Sequence, residues 1–385
     1  MQYDLIVVGG GIVGLGHAWA AAKLGQSVAV FEAGPRAEGA SIRNFGMIWP
    51  VGQPAGVART LALQNAQLWR EIGQLAGFPV EQCGSLFPAH HADEMAVLEE
   101  FASSSNCEGL RVDVLSREAV SRQSQAINQE GLQGALFSES ELRVHPPTAI
   151  SSITAYLADR FHVDFHFNSV VTHVDSGEVA TADGLSCSAR QIVIASGAYY
   201  RDLFPEAHMA ARVKLCKLQM LMTVPQPSGW KLGPHLASGL TLRHYQSFEH
   251  CPSLAAVRER ISATMPELDR YGIHVMASQT ESGELILGDS HEYGDDIEPF
   301  DKAEIDTLML REIRKVMSLP KLQISRRWHG LYAKHPGELF FVREVKPHVL
   351  VVNGFGGNGM TLGLAVADNV IRQNDMDLHV RESKQ

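Results

Sequence analysis

Gly9, Gly11 and Gly14, followed eighteen positions later by the carboxylate of Glu32, are the residues whose types and spacing most directly specify chemistry. Free N–H groups at a helix N-terminus hold an anion such as a pyrophosphate, provided that the backbone can come close enough. In the pattern Gly9-x-Gly11-x-x-Gly14, the first glycine permits a tight exit from a strand. The second lets the backbone approach the anion, and the third lets the next helix pack close to the sheet. Ile12 and Val13 open that helix. Glu32, with Ala33 beside it, stands where a carboxylate accepts hydrogen bonds from an adenosine ribose. Together these residues specify a site for an ADP-bearing dinucleotide.

The flanking elements must put these groups in place. Residues 5–8 are an uncharged run that predicts a buried parallel strand, and the glycine turn follows it directly. Ala18 and Gly25 keep small residues where the helix meets the sheet, and residues 27–31 predict a second strand ending at Glu32. The loop beyond is rich in small residues and carries Arg36, Ser41, Arg43, Asn44 and Gly46, suited to close over the second half of a dinucleotide with an arginine near the phosphates. Phe45, Met47, Ile48 and Trp49 predict that this loop folds inward. Two further strand-to-turn junctions follow. Short alternating strands through Val171 lead to the apolar run 191–195, which closes on Ser196 and Gly197. Near the C-terminus, the apolar run 349–352 enters a turn containing Gly354, Gly356, Gly357, Asn358 and Gly359. Met360 and Thr361 then start an apolar helix to about Ile371. Glycines at a strand-to-helix turn aim another helix N-terminus at electron-rich atoms.

Composition narrows the function classes. The chain has 385 residues, enough for two domains, and 33 Lys and Arg against 43 Asp and Glu. The formal charge of −10 argues against a nucleic-acid surface. Residues 5–22 carry no charge, but five glycines break the run, so no membrane span is expected. Five cysteines form no CxxC pair and no compact metal motif; reduced thiols in a cytoplasm are expected, and no metal. Apolar residues at helical spacing predict helices through Leu61 and Leu75, Ile150 and Phe161, Leu254 and Met265, and Ile305 and Val316. Residues 83–142 change character and read as an insertion. No repeat or low-complexity linker divides the chain, so its parts should interleave.

The three strand-to-turn junctions together resemble the FAD-dependent amine and amino-acid oxidoreductases, the superfamily of D-amino acid oxidase, glycine oxidase and monomeric sarcosine oxidase. The resemblance runs from end to end of the chain. It implies an α/β (α+β) fold in which a Rossmann-like FAD-binding domain, residues 1–80, 143–210 and 325–375, interleaves with a mixed-sheet substrate-binding domain, residues 81–142 and 211–324, leaving a tail at 376–385. It also implies that the backbone of Gly359, Met360 and Thr361 lies by the flavin pyrimidine ring, where a helix N-terminus favours negative charge. Relatives that attach FAD covalently differ at both usual positions. This chain has Ile42-Arg43-Asn44 in place of a Trp-His pair and Gly330 in place of a cysteine, so non-covalent FAD is expected. Within the superfamily, the strings GASIRNFGMIWPVGQ, GLTLRHYQSFEHCPS and GELILGDSHEY are similar to a bacterial subgroup associated with breakdown of 2-aminoethylphosphonate-type compounds. That similarity implies oxidation of an aminophosphonate, or its N-methyl form, to an imine that hydrolyses to aldehyde and amine, with O2 or another electron acceptor.

Amine oxidation of this kind needs little acid–base machinery once the amine is neutral, so positioning matters more. An anionic amine calls for a cation, and arginine suits a carboxylate or phosphonate best. Arg243 and Tyr245 fall on one face if 241–247 is extended, and would present a guanidinium and a phenol to one anion; the alternative is a surface strand with an interface tyrosine. His291 follows Gly288-Asp289-Ser290 at a strand end and lines a pocket or a solvated loop. Arg326, Arg327, His329 and Tyr332 precede the last nucleotide-type strand, so one face of that segment should border the flavin. Lys217, or Lys214, is a pocket cation, a lysine near the flavin, or a solvated side chain. Two rival functions remain: oxidation of glycine or a D-amino acid, and a flavin-carrying module for RNA modification or for a larger complex. The acidic balance weighs against RNA.

Overall fold

The computed structural model describes residues 2–373; the expected tail at 376–385 lies outside them. Two large sheets share the chain. The first is parallel at its centre, in the order Asp164–His166, Val28–Phe31, Gln2–Val8, Ser186–Ile194, Val349–Asn353. Val171–Asp175 and Glu178–Thr181 form an antiparallel hairpin on one side of Ser186–Ile194, and Phe341–Lys346 pairs antiparallel with Val349–Asn353. Central strands covered on both faces must be apolar throughout, and Leu5, Ile6, Val7, Val30, Val193 and Val351 are all inaccessible to solvent.

Register decides where the turns fall. Val8 is level with Phe31 and with Ile194, and Ile194 is level with Val351. The strands are parallel, so the turns after Val8, Phe31, Ile194 and Asn353 all leave the same edge of the sheet. Open parallel sheets bind ligands at this carboxyl edge. Helices Ile12–Lys23 and Gly359–Arg372 pack on one face with Val57–Ala76 and Pro146–Phe161. The first and last helices approach closely because Gly16 faces the last helix; a Cβ there would stand 3.0 Å from the Ala367 Cβ. Gly25, expected inside the first helix packing, lies instead in the turn after Lys23 at φ 76°.

The second sheet is mostly antiparallel and runs Glu292–Gly294, Lys214–Thr223, Leu285–Gly288, Met276–Gln279, His235–Ala237, Ser85–Ala89, Gly134–Ser138, Val112–Leu115. Helices Ala92–Ser103, Leu254–Thr264 and Ala303–Val316 complete its core. Two expectations need correction here. Strand Ile324–Lys334, assigned from sequence to the nucleotide side, pairs along its length with Lys214–Thr223 and belongs to the second sheet. It returns the chain from the second sheet to the first, with Phe341–Lys346 following on the first sheet. The stretch around Arg243 is not extended: Gly239–His244 and Gln246–Phe248 are 3₁₀ turns. Among the described residues no helix is long and apolar enough to cross a membrane, and all five cysteines are unpaired.

Candidate active site

The carboxyl edge of the first sheet opens into a cleft where the three turns meet. Gly9, Gly11, Ile12, Val13 and Glu32 line it from the first turn, Ser41 and Asn44 from the loop, Ser196 and Gly197 from the second turn, and Gly356, Gly357, Gly359 and Met360 from the third. Asn353 ties two turns together by donating from Nδ2 to the Gly197 carbonyl at 3.0 Å. Two glycines are required on geometric grounds. Gly9 holds φ 110°, where a Cβ would come within 2.4 Å of the Ala195 carbonyl oxygen; at Gly14 a Cβ would come within 1.9 Å of the Gly9 oxygen. Gly14 therefore serves packing and does not line the cleft.

Glu32 accepts from Gly10 N–H on Oε2 at 2.8 Å and from Gly34 N–H on Oε1 at 3.0 Å. Each oxygen keeps a lone pair for a ribose hydroxyl. Ser41 accepts from Ile12 N–H at 2.9 Å, at the N-terminus of the first helix. The Ser196 hydroxyl is buried without a hydrogen-bond partner among the described residues. The narrow glycine cradle, the oriented carboxylate and the orphaned hydroxyl fit a dinucleotide laid across the sheet edge.

Other residues expected at the cofactor take different positions. Arg36 is exposed and pairs with Glu38 at 2.9 Å. Arg43 points back to the second sheet: its guanidinium reaches the His329 carbonyl, and its own carbonyl accepts from Tyr332 and Trp328. Gly46 is held at φ 73° against the Val144 carbonyl, and Gly354 packs on Phe341 and His335. Ala33 and Val171 are not among the residues that line the cleft.

A second cavity adjoins the cleft and shares Asn44, Tyr332, Gly356, Gly357 and Met360 with it. Asn358 and Thr361 line only this cavity. Their side chains are held in place, Thr361 Oγ1 accepting from Trp49 N–H at 3.1 Å and Asn358 Oδ1 from Gln53 Nε2 at 3.0 Å. The opposite wall brings together Tyr245 and His291, which sequence reasoning had selected, with His244, His274, Asp289 and Lys334, which it had not.

The expected cations are elsewhere. Arg243 forms an ion pair with Asp269, donates to the Ile273 carbonyl at 3.0 Å, and does not line the cavity. In a 3₁₀ turn, neighbouring side chains diverge by roughly a third of a revolution, so His244 faces inward where the extended reading put Arg243. Lys217 is fully buried but lies 3.0 Å from Asp301 and donates to the Glu298 carbonyl. Arg327 pairs with Asp306 at 2.7 Å, His329 with Asp301 at 2.8 Å, and Arg326 and Lys214 are exposed. Of the segment 326–332, Leu331 lines the first cavity and Tyr332 lines both.

The rings of His244, His274 and His291 form a triangle with centroid separations of 4.5, 5.0 and 5.7 Å. Burial pushes the His244 imidazole well below its ordinary range, and the other two histidines push it further. His291 is pushed down to about 4, mainly by burial against the opposing pull of Asp289. Burial opposes charge on Asp289, but His274 and His291 outweigh it and hold the carboxyl below its usual range. His274 Nε2 pairs with Asp289 Oδ1 at 2.7 Å. Burial raises the Tyr245 and Tyr332 phenols, so both are protonated donors. The histidines lie about thirty and seventeen positions apart in the chain, and no local pattern links them. The one usable signal was Asp289 two residues before His291.

Fold and site define a flavoprotein-type oxidoreductase: a dinucleotide cleft on a parallel sheet, with a substrate-sized cavity against its C-terminal glycine turn. The chain belongs to the FAD dependent oxidoreductase family (DAO), whose family model matches residues 4–373, and its cofactor is FAD. It is 25% identical over 379 residues to gamma-glutamylputrescine oxidoreductase of Escherichia coli strain K12, covering 93% of this chain and 80% of that one. It is 24% identical over 381 residues to glycine oxidase of Bacillus licheniformis, covering 95% and 91%. Among solved structures, glycine oxidase from Geobacillus kaustophilus superposes with a TM-score of 0.76 at 19% identity, over 98% of this chain and 96% of that one. The chain is thus an FAD-dependent amine or amino-acid oxidoreductase with a mixed α/β fold.

Proposed function

We propose that this enzyme oxidises a small anionic amine, 2-aminoethylphosphonate or its N-methyl form, to an imine that water converts to an aldehyde and a free amine or ammonia. A C–H bond beside nitrogen and an N–H bond break, a C=N bond forms, and two electrons leave the substrate. FAD, when bound, takes up those electrons and passes them to O2 or another acceptor. The observation that carries this reading is the shared wall of the two cavities. A ligand in the second cavity meets Gly356, Gly357 and Met360, the same turn that borders the cofactor cleft. Trp49, Tyr245 and Tyr332 give that ligand an apolar, aromatic surround in which a neutral amine is favoured over its ammonium form.

Glycine or a D-amino acid is the second reading, supported by the glycine oxidase relative. A carboxylate is best held by a guanidinium fork, and among the described residues no arginine lines the second cavity. That favours the phosphonate. Reduced cysteines favour a cytoplasmic enzyme, and the acidic balance disfavours an RNA-modifying module. Anaerobic mixing of the yellow holoenzyme with a panel of amines tests the proposal. Bleaching of the flavin absorbance by N-methyl-2-aminoethylphosphonate, faster than by glycine or D-alanine, is expected; bleaching by the amino acids alone would replace the first reading with the second.

A further inference from the structure

We propose that His244, His274 and His291, with Lys334, form an oxyanion pole that holds a tetrahedral dianionic group, a phosphonate or a phosphate, at the end of the substrate away from the reacting C–N bond. This deepens, and rests on, the amine-oxidation reading above. Among the described residues, these three histidines and Lys334 are the basic side chains that line the second cavity. Its single carboxylate, Asp289, stands against His274 at 2.7 Å. Arg243 and Lys217 do not line this cavity and pair with Asp269 and Asp301.

The geometry suits a tetrahedral group better than a planar one. Three imidazoles at the corners of a triangle, with centroids 4.5 to 5.7 Å apart, present separated nitrogens that become point donors when protonated. A planar carboxylate matches a guanidinium fork, which the cavity lacks; three oxygens on phosphorus match three separated donors. One polar atom is also left waiting: His244 Nε2 is buried without a hydrogen-bond partner among the described residues, whereas His274 Nε2 stands against Asp289. Nδ1 of His291 lies 3.3 Å from the Gly272 carbonyl, which fixes the hydrogen there and turns Nε2 to the cavity.

Electrostatics add a requirement on the ligand. His274 and His291 disfavour a proton on His244, His274 disfavours one on His291, and Lys334 disfavours one on both. A dianion placed among them reverses that balance, so His244 and His291 take up protons as it binds and become charged donors. A neutral ligand offers no such gain, and a monoanion offers about half.

The test uses the oxidised holoenzyme and inert probes that lack the amine, followed by perturbation of the flavin spectrum. Propylphosphonate should bind at least tenfold tighter than butyrate or propanesulfonate, and propyl phosphate distinguishes a phosphate from a phosphonate preference. In His244→Gln and His291→Gln, which preserve side-chain volume and so retain FAD, the Kd for propylphosphonate should rise at least tenfold while that for uncharged butyramide is unchanged. Equal binding of butyrate and propylphosphonate by wild type, or variants that bind propylphosphonate as wild type does, would overturn the assignment. The three imidazole ligand atoms lie within 4.8 Å of one another, so one equivalent of zinc found by elemental analysis in the wild type and lost in both variants would also overturn it, in favour of a metal site. Histidine-dependent phosphonate binding without bleaching by any amine would retain the oxyanion pole and refute amine oxidation. Bleaching by the aminophosphonate with unchanged KM in both variants would do the reverse.

Discussion

Glu32→Ala removes one acceptor from two different kinds of donor, and the two losses can be measured separately. In the protein alone, the carboxylate accepts from the buried Gly10 N–H at 2.8 Å and the half-buried Gly34 N–H at 3.0 Å. A hydrogen bond to a charged group contributes about 1.5–3 kcal/mol, less where water can replace the partner. Water reaches Gly34 but not Gly10, so the apoprotein should lose roughly 2–3 kcal/mol. With FAD bound, the remaining lone pairs meet the ribose, and losing that contact costs another 1.5–3 kcal/mol or so, about ten- to a hundredfold in Kd. Glu32→Gln keeps the length and one acceptor, but its amide N–H2 then faces one of the two backbone donors. It should fall between wild type and alanine. Urea unfolding of the apoprotein reads the first loss, and titration of apoprotein with FAD, followed by flavin fluorescence quenching, reads the second. An alanine variant that is less stable but binds FAD with wild-type affinity would refute the ribose role; one unchanged in both would refute the account of the whole turn.

Three further outcomes are expected. The flavin should be released by acid or heat denaturation and recovered in the filtrate, since Gly330, at one usual attachment position, has no thiol, and a Cβ there would meet the Tyr332 ring at 2.5 Å; flavin remaining with the precipitate would contradict this. Arg243→Ala should lower stability by roughly 1.5–3 kcal/mol through its lost pairing with Asp269 and the Ile273 carbonyl, leaving the KM ratio between anionic and neutral amines unaltered; a selective rise in KM for the anionic amine would return this arginine to the substrate site. Acid should destabilise the protein through His17, which is fully buried on the first helix with its folded value pushed down to about 4 by burial. The unfolded chain binds this proton near pH 6.5 and the folded chain does not, so stability is retained above pH 6.5 and lost as pH falls towards 4, by about 2 kcal/mol between pH 7 and 5. In His17→Asn the urea midpoint should depend less on pH over that interval, and an identical dependence would exclude His17 as its source.

The dinucleotide side of the molecule was legible in the amino-acid sequence because its determinants are local. Gly9, Gly11 and Gly14 lie within six positions between a strand and a helix, and the steric demands at Gly9 and Gly14 come from backbone a few residues away or on an adjacent strand. The turns at Gly197 and Gly356 could be recognised one at a time for the same reason. Their convergence follows from the parallel register of Val8, Ile194 and Val351. The substrate wall was not legible in this way. Whether residues 239–248 are extended or 3₁₀ depends on packing beneath Phe248 and Leu242, which are completely buried in the second core, and that choice exchanges Arg243 for His244 at the cavity. Strand Ile324–Lys334 has no apolar alternation to assign it to a sheet, and pairing with Lys214–Thr223 settled it. Which cations remained for a substrate depended on the carboxylates at Asp269, Asp301 and Asp306, which reach Arg243, Lys217 and Arg327 across 26, 84 and 21 positions. The sequence alone thus determined the cofactor turn, whose chemistry is set by backbone geometry over a few residues. Tertiary structure alone decided the substrate pole, because charge neutralisation and side-chain direction there are set by partners distant in the chain.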